Sequence, residues 1–585
     1  MKLFKELFYV FQRKQRWQFF GLFFLSLIQT CLDFFGVSMI LPFVNVLVNA
    51  ETLKDASWYR WIAQIIGSDS ISSVLLFLTL VLIAVYIVKN VYMLLIGVVR
   101  VRFLSTNQIR MGARMINCYM HKPYTFHLQR NTSEIIRNIN SDVGGAFAVI
   151  AGIFTLISSG LITIALTVYL FAVDVGLTLI VIFALLICSV VYFLLVRGKV
   201  RSIGKENRAT SAKMIKAIQQ SMGGIKEVKV MGREKYFSDV YVDAGTEFVK
   251  RQQKSTILSA IPSRMIETLC ICGVLGIIAL KISNGSDLTA VVPSLSAFAV
   301  AAIRLMPQAN TINSAISTIT YNLPSLESLY EDLTESDRYE AEQNRIIAEK
   351  KAKHANRAVA KDSDIILKDI SYTYPNNEKP VLEHVDLTIR HGTSVGIVGV
   401  TGAGKTTLVD IILGLLDPQE GTVHYGALDI HEDYAEWQRH IGYIPQNIYL
   451  IDDTIRNNVA MGIPEDEIDD AAVWKALENA QIAPFVRGLK DGLDTVIGER
   501  GVRISGGQRQ RIGIARSLYY DPEILFFDEA TSSLDSETES AVMESINKLS
   551  TEKTMIIVAH RLTTIENCDE IYRVEDGKVF RTHLE

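Results

Sequence analysis

Cysteine is scarce in this sequence, with six in 585 residues and no pair at the spacing of a metal or redox site. Four of the six lie inside apolar stretches, and Cys118 and Cys568 are far apart in the chain, so no disulfide framework is indicated. The net charge of −4 is close to zero and does not favour a nucleic-acid partner. A positive mean hydropathy of +0.22 argues against an intrinsically disordered protein.

The apolar residues are distributed unevenly along the chain. Before roughly residue 310, apolar stretches long enough to cross a bilayer recur, and after residue 364 short β-rich runs alternate with helical patterns, as in a soluble α/β domain. A charged stretch without sustained apolar periodicity separates the two. We therefore predict an all-α membrane domain over residues 1–325, a linker over 326–363 and an α/β domain over 364–585.

Six membrane spans are predicted, each of about 20 or more mostly apolar residues, which at about 1.5 Å per residue suffices for a hydrocarbon core of about 30 Å. They cover residues 17–42, 73–98, 146–171, 176–197, 256–280 and 288–308. Basic residues concentrate before the first span and in the second and fourth connections, which places both termini and the α/β domain in the cytoplasm. No A-x-A pattern follows the N-terminal apolar run, which we interpret as a retained span rather than a signal peptide.

Two cytoplasmic segments, residues 124–130 and 222–229, are expected to contact the soluble domain, with solvated loops as the alternative. On the opposite side, residues 51–70 place Trp58, Tyr59 and Trp61 among polar residues. This pattern predicts a short amphipathic external helix with aromatic rings at headgroup level. The alternative is a helix that only packs on neighbouring spans.

Charged residues inside the spans are expensive, at roughly 2.5 to 3.5 kcal/mol each for a lone charge on insertion scales. Lys89, Arg264 and Arg304 lie within or at the edges of predicted spans, as do Asp33 and Glu267. The three cations predict a cavity that attracts an anionic group, phosphate being the simplest. In the alternative, Arg264 pairs with Glu267 one turn away and Lys89 extends to the interface.

The α/β domain carries a phosphate-binding loop, GVTGAGKT at residues 399–406, between a strand-like run and a helical pattern. Glycines let backbone N–H groups surround the phosphates, Lys405 adds a positive charge, and the Thr406 hydroxyl is suited to Mg²⁺. The predicted ATP-binding residues of this loop are Gly399, Val400, Thr401, Gly402, Ala403, Gly404, Lys405, Thr406 and Thr407.

A second apolar strand, in EILFFDEA, ends in two acids at the sheet edge where open α/β sheets bind ligands. Asp528 is predicted to hold Mg²⁺ and Glu529 to polarise the attacking water, and the alternative is that both acids only end the strand. His560 follows another β-rich run, TMIIVA, and is a third catalytic candidate.

A further phosphate site is predicted in RISGGQRQRIGIARS, where Ser505, Gly506, Gly507 and Gln508 begin an amphipathic helix. One domain has little use for two such sites on one nucleotide. These motifs, in this order, resemble the nucleotide-binding domain of the ATP-binding cassette (ABC) superfamily over residues 364–585.

That resemblance implies further roles and partners. It assigns Tyr374 to adenine stacking, Gln446 to Mg²⁺ and the attacking water, Asp535 to the D-loop, and His560 to the switch histidine. It also implies a type I exporter fold, ATP and Mg²⁺ as cofactors, and ATP hydrolysis coupled to transport. Because each motif occurs once, the chain resembles a half-transporter that forms a homodimer in the membrane.

A closer resemblance is to the bacterial flippases for lipid-linked oligosaccharides in protein glycosylation. It is carried by the strings IRLMPQAN, SAIPSRMIE, VSMILPF and IGYIPQNIYL. Arg304 matches a cavity arginine of that family, Lys89 stands where the family has Arg, and Arg264 is displaced by one residue because Ser263 occupies the family position.

The resemblance implies ATP-driven flipping of a polyprenyl-pyrophosphate-linked saccharide to the outer leaflet of a bacterial inner membrane. The alternatives are a multidrug or general lipid exporter and, from another class, a channel or receptor regulated by the cassette.

Overall fold

The computed structural model describes residues 2–38, 57–67, 70–173, 192–283, 288–353, 362–375, 377–528, 553–559 and 565–583, with isolated positions between 175 and 190. The side chains of residues 280–304 are outside the described part. The chain forms two compact units, the first of Met1–Lys122 with Gln129–Tyr339 and the second of Pro123–Leu128 with Glu340–Glu585.

The first unit is helical throughout its described residues. Its helices are α1 (Lys2–Val10), α2 (Arg13–Ser38), α3 (Ser57–Ile66), α4 (Ile71–Met120), α6 (Thr132–Arg137), α7 (Val143–Val173), α8 (Arg197–Gly223), α9 (Ile225–Val230), α10 (Glu234–Ser283) and, as far as Tyr339, α11 (Leu288–Lys353). Single π-helical turns at Asn138–Asp142 and Tyr192–Val196 precede α7 and α8. Helix α11 extends past the predicted boundary at residue 325 and through most of the charged stretch.

Three helices among the described residues are long and apolar enough to cross a membrane: Arg13–Gly36, Ile71–Met120 and Thr132–Val168. They contain most of the first three predicted spans. Predicted spans five and six lie within α10 and α11, and the fourth falls largely outside the described residues. Helix α4 exposes apolar side chains such as Leu76 and Leu94, as expected for a surface that faces lipid.

Beyond the spans, a buried carboxylate ties three helices together. Asp142 accepts hydrogen bonds from Arg208 Nε and Nη2, each at 2.8 Å, and from the Ser325 hydroxyl at 2.8 Å. These residues come from the π-turn before α7, from α8 and from α11. Because a buried charge requires compensation, this network fixes the relative position of the three helices.

The second unit is an α/β domain joined by the short helix α5 (Tyr124–Gln129), most of which belongs to it. The sequence predicted a contact between residues 124–130 and the soluble domain, and residues 123–128 do share its compact unit. Residues 222–229 belong to the first unit, so their contact with the cassette stays a prediction.

Two sheets form the α/β domain. The antiparallel sheet has the order β2-β1-β4-β5, from β1 (Ile365–Tyr372), β2 (Leu382–Ile389), β4 (Glu420–Tyr425) and β5 (Leu428–Asp429). The larger sheet has the order β10-β9-β3-β8-β7-β6, from β3 (Ser394–Val398), β6 (Ile441–Ile444), β7 (Ile524–Asp528), β8 (Thr554–Val558), β9 (Glu570–Glu575) and β10 (Lys578–Thr582). All its pairings are parallel except β9 with β10.

The domain also contains the helices α12 (Lys405–Ile412), α13 (Tyr434–His440), α14 (Ile455–Val459), α15 (Asp470–Asn479), α16 (Ala483–Arg487) and α17 (Gly506–Leu518). Helix α17 packs against β6 of the larger sheet and against α14 and α15. The central strands β3, β7 and β8 are almost fully buried, which explains their uninterrupted apolar sequences. The predicted fold class, a helical membrane domain with an α/β P-loop domain, is confirmed.

Candidate functional site

The predicted motifs converge on one edge of the larger sheet. Strand β8 lies between β3 and β7, and β6 pairs with β7, all in parallel. The register places Ile397 beside Val558 and Val558 beside Asp528, so the carboxyl ends of these strands are level. The phosphate loop, Asp528 and Gln446 therefore emerge at the same edge, the usual ligand site of parallel sheets.

The phosphate loop has the backbone that its glycines permit. Gly402 and Gly404 have φ values of +84° and +105°, and a Cβ on Gly399 would lie 2.4 Å from the Val574 carbonyl oxygen. Gly404 caps α12, whose first backbone N–H groups have no intrahelical acceptor. The loop and the positive end of the helix dipole together fit a polyphosphate.

Lys405 supplies the fixed positive charge of this loop. Its side chain is buried, and Nζ donates hydrogen bonds to the Gly399 carbonyl oxygen at 2.8 Å and the Val400 carbonyl oxygen at 3.2 Å. These bonds hold the ammonium group against the loop, beside the N–H groups that would face phosphate oxygens. Charge and donors are thus organised before a nucleotide binds.

Oxygen donors suited to Mg²⁺ stand beside the loop. Thr406 is exposed in the first turn of α12, Asp528 ends β7, and Gln446 is exposed two residues beyond β6. The Tyr443 hydroxyl lies 3.4 Å from Asp528 Oδ2, close enough for a weak hydrogen bond. Mg²⁺ is usually held by one or two carboxylates together with substrate phosphates and water, and this donor set fits that pattern.

Asp410 is a site residue that the motif search missed. It lies one turn after Thr406 on α12, and burial, with the Asp528 charge adding to it, raises the pKa of Asp410 to about 6. Burial raises the pKa of the Tyr443 phenol, and the charges of Asp528 and Asp410 raise it further. The i, i+4 spacing of Thr406 and Asp410 was the available sequence signal.

Tyr374, the predicted adenine platform, lies beside the start of α12. Its hydroxyl is 3.2 Å from the Thr407 hydroxyl, and its ring meets that of Tyr372 edge-on at 5.1 Å. Burial raises the pKa of Tyr124 in α5, and the nearby charge of Asp410 raises it further. Helix α5 therefore lies close to the nucleotide loop within the second unit, and adenine stacking by Tyr374 stays a prediction.

The second predicted phosphate site is a well-formed helix start. Ser505 caps α17 through a capping box. Its hydroxyl accepts a hydrogen bond from the backbone N–H of Gln508 at 3.2 Å, and the Gln508 side-chain oxygen accepts one from the backbone N–H of Ser505 at 2.9 Å. Ser505 and Gly506 are exposed. Since the hydroxyl only accepts in the cap, its own proton remains available for a phosphate oxygen.

Two polar residues missed by the sequence reasoning, the half-buried Arg516 and the buried Asn458, hold α17 against the segment that follows Gln446. Arg516 donates to the Tyr449 carbonyl at 2.7 Å and the Asn458 carbonyl at 2.8 Å. Asn458 is fully buried and exchanges hydrogen bonds with both backbone groups of Ile451 at 3.0 Å. Only the folded chain brings these residues together, so no motif could reveal them.

Some predicted residues fall outside the described part of the chain. They are Glu529, Asp535 and His560 with their backbone, and Arg304 with its side chain. The described strands that precede Glu529 and His560 in the chain end at Asp528 and at Val558. Their catalytic roles stay predictions.

The membrane cations that the structure describes occur in ion pairs. Lys89 Nζ lies 2.6 Å from Asp33 Oδ1, with both side chains buried between α2 and α4. Arg264 Nη1 lies 3.0 Å from Glu267 Oε2, the pairing considered as an alternative. Lys89 and Arg264 thus have local counter-ions, and their role toward an anionic ligand stays a prediction.

The motifs and fold have clear counterparts among known proteins. Residues 382–532 match the family model described as ABC transporter, and residues 19–300 match that of the ABC transporter transmembrane region. A solved structure of a bacterial Atm1-family ABC exporter with ATP bound superposes with a TM-score of 0.74 over 97% of this chain and 94% of that chain. At 22% identity, that likeness concerns the fold alone.

Curated relatives include several proteins named ATP-dependent lipid A-core flippase. That of Cupriavidus metallidurans is 29% identical over 475 residues, covering 80% of this chain and 78% of the relative. That of Photorhabdus laumondii is 28% identical over 560 residues, covering 93% and 92%. That of Salmonella typhimurium is 29% identical over 484 residues, covering 81% and 80%.

Proposed function

Because the chain belongs to the ABC transporters, as an exporter-type half-transporter whose ATP hydrolysis is coupled to transport, we propose that it flips an anionic, amphipathic glycolipid. The proposed direction is from the cytoplasmic to the outer leaflet of a bacterial inner membrane. The observation that carries the proposal is the likeness to lipid A-core flippases, which in one relative extends over 93% of this chain.

The external helix α3 supports a lipid substrate. Its inner face, with Tyr59 and Ile62, packs on Val74 and Leu78 of α4. Its outer face leaves Trp61 and Ile65 63% and 54% exposed, one turn apart. Packing on a neighbouring span therefore accounts for one face only, and the other suits acyl or polyprenyl chains near the headgroups.

The first substrate candidate is a polyprenyl-pyrophosphate-linked oligosaccharide, supported by the string IRLMPQAN that contains Arg304. A lipid A-core glycolipid is the second candidate, favoured by the names of the curated relatives. Both carry phosphate groups and long apolar tails, so one basic, lipid-accessible path would serve either.

The ATP chemistry follows from the site. In the proposed homodimer, the phosphate loop of one chain and the exposed Ser505–Gly507 turn of its partner would enclose one ATP. When bound, Mg²⁺ would neutralise charge on the β- and γ-phosphates, held by Thr406, Gln446 and Asp528. Lys405 would bind the phosphates through its fixed ammonium, and Glu529 would orient and polarise the attacking water. Closure of the two cassettes would then move the membrane spans into an outward-facing conformation.

Substrate stimulation of ATPase activity separates the candidates. Purified full-length protein in liposomes should hydrolyse ATP faster with polyprenyl-pyrophosphate-linked oligosaccharide than with lipid A-core glycolipid or without added lipid. The reverse order would favour the second candidate. Stimulation by hydrophobic dyes alone would indicate a multidrug exporter, and ATP-gated ion currents without lipid movement would indicate a channel.

A further inference from the structure

A cavity of about 460 Å³ lies in the first unit between helices α8 and α11. Arg201, Ser202 and Lys205 line one wall, from α8, and Glu327, Ser328 and Glu331 line the other, from α11. The charged residues are spaced i, i+4 on each helix, so each wall presents a row of one sign. The cavity therefore carries opposite charges on facing walls.

The charges are only partly compensated. Arg201 Nη2 lies 2.5 Å from Glu327 Oε1, and Arg208, at the cavity edge, is bound to Asp142. Among the ion pairs of the described residues, neither Lys205 nor Glu331 takes part, and both are exposed. One cation on α8 and one carboxylate on α11 thus remain available to a ligand.

The acidic wall has further negative charge behind it. Burial raises the pKa of Glu6 in α1, although the positive charge of Lys2 lowers it. The negative charges of Glu327 and Glu331 raise it further. Lys2 Nζ is 3.9 Å from Glu327 Oε1, too far for a short ion pair. An additional cation at this wall would reduce the repulsion among the three carboxylates.

The separation of the walls is fixed by backbone packing. A Cβ on Gly204 would lie 2.1 Å from the Tyr321 carbonyl oxygen, so α8 and α11 touch at main-chain distance next to Lys205. The buried network of Asp142, Arg208 and Ser325 joins the same two helices. The backbone that frames the cavity is therefore preformed, and only side chains such as the Arg201–Glu327 pair would adjust to a ligand.

The α8 wall of the cavity lies at the cytoplasmic edge of the membrane. Helix α8 begins at Arg197, where the fourth predicted span ends, and about 1.5 Å per residue places Arg201 and Lys205 about 6 and 12 Å farther along the axis. The polar layer of each leaflet is roughly 5 to 8 Å thick. Arg201 therefore lies at the depth of the cytoplasmic-leaflet headgroups, and Lys205 lies just beyond them on the cytoplasmic side.

We propose that this cavity binds the headgroup of a zwitterionic phospholipid that bears a primary amine, of the phosphoethanolamine type, as a site separate from that of the transported lipid. The phosphate lies against Arg201, Ser202 and Lys205, and the ammonium lies against Glu327 and Glu331. A primary ammonium donates hydrogen bonds to carboxylates, whereas a quaternary ammonium is usually held by aromatic rings, which the cavity wall lacks among its described residues.

The test is lipid binding to delipidated full-length protein, measured by native mass spectrometry with phosphatidylethanolamine, phosphatidylcholine and phosphatidylglycerol of identical chains. The first phosphatidylethanolamine should bind about tenfold more tightly than either other lipid. Lys205→Ala and Glu331→Gln should each weaken it about tenfold, and Glu331→Gln should leave phosphatidylglycerol unchanged. Lys213→Ala, at an exposed position on α8 outside the cavity, is the matched control.

Both test residues are exposed, so these substitutions should leave folding intact. Equal affinity for the three lipids, or no effect of either cavity variant, would overturn the proposal. Displacement of the bound lipid by equimolar glycerophosphoethanolamine or inorganic phosphate would instead identify a soluble phosphate ligand and overturn the lipid assignment. None of these readouts requires transport, so the result is independent of the proposed flippase function.

Discussion

Helix α17 approaches the segment after Gln446 so closely at Gly513 that a methyl group has no room there. A Cβ at this position would lie 2.2, 2.8 and 2.9 Å from Cδ1, Cγ2 and Cγ1 of Ile448. Carbon atoms in contact are usually about 3.5 to 4.0 Å apart, so Gly513→Ala requires a shift of about 1.3 Å or more. The shift would move the Ser505 turn relative to Gln446, two parts of the proposed ATP machinery.

The expected cost follows from two opposing effects. Overpacking a core contact costs about 1 to 3 kcal/mol. Alanine regains up to about 1 kcal/mol of helix propensity over glycine. With the full gain in helix propensity, we expect a net destabilisation of about 0 to 2 kcal/mol. Because a misplacement of about 1 Å can reduce catalysis about 100-fold, ATPase activity should fall at least about tenfold, while ATP binding at the phosphate loop is retained.

Steady-state ATPase rates and equilibrium ATP binding of the full-length protein would test this. Gly488→Ala is the matched control, since its Cβ would lie at ordinary distances of 3.4 and 3.5 Å from its neighbours. All three crowded atoms belong to the Ile448 side chain, so Ile448→Ala should restore activity to the Gly513→Ala variant. Wild-type activity in Gly513→Ala, or a double variant no better than the single one, would refute the packing argument.

Three further predictions concern charged residues. Lys89→Met alone should leave Asp33 buried without a counter-ion and cost about 3 to 5 kcal/mol, whereas the double variant with Asp33→Leu should be near neutral, as thermal unfolding in detergent would show. The raised pKa of Asp410 means that the folded protein disfavours the ionised carboxylate. The free energy of unfolding of the wild type, relative to that of Asp410→Asn, should therefore fall between about pH 4 and 6 and stay lower at higher pH. Unfolding without Mg²⁺ would measure this difference, and a difference that does not change with pH would contradict the reasoning. Arg304→Ala should slow lipid flipping while basal ATPase persists, and unchanged flipping would exclude its proposed role.

The backbone of the phosphate loop and of the Ser505 cap was largely predictable because it depends on local sequence. Glycines at fixed spacing produce the loop that ends at Gly404, and the Ser505-x-x-Gln508 spacing is a capping box visible in the sequence. Apolar runs ending in polar residues also located the sheet edge, since parallel strands end together.

Contacts between distant residues were not predictable. Asp33 and Lys89 were both recognised as unusual, but their pairing depends on the register of α2 against α4. Similarly, the stretch after residue 325 reads as a charged linker, yet Leu326, Leu329 and Leu333 form a buried row on α11. Three leucines at helical spacing are a weak signal among many charges, and the tertiary surface that covers them decides their burial.

The most direct measurement of the central claim is ATP-dependent flipping of a lipid-linked oligosaccharide in proteoliposomes whose cassettes face outward. Lipid on the outer surface is detected by an added enzyme that cannot cross the bilayer. With ATP, the wild-type protein should remove substrate from the outer surface, and Glu529→Gln should bind ATP without doing so. No loss of accessible lipid despite robust ATPase activity, or equal loss with Glu529→Gln, would contradict ATP-driven flipping of this lipid.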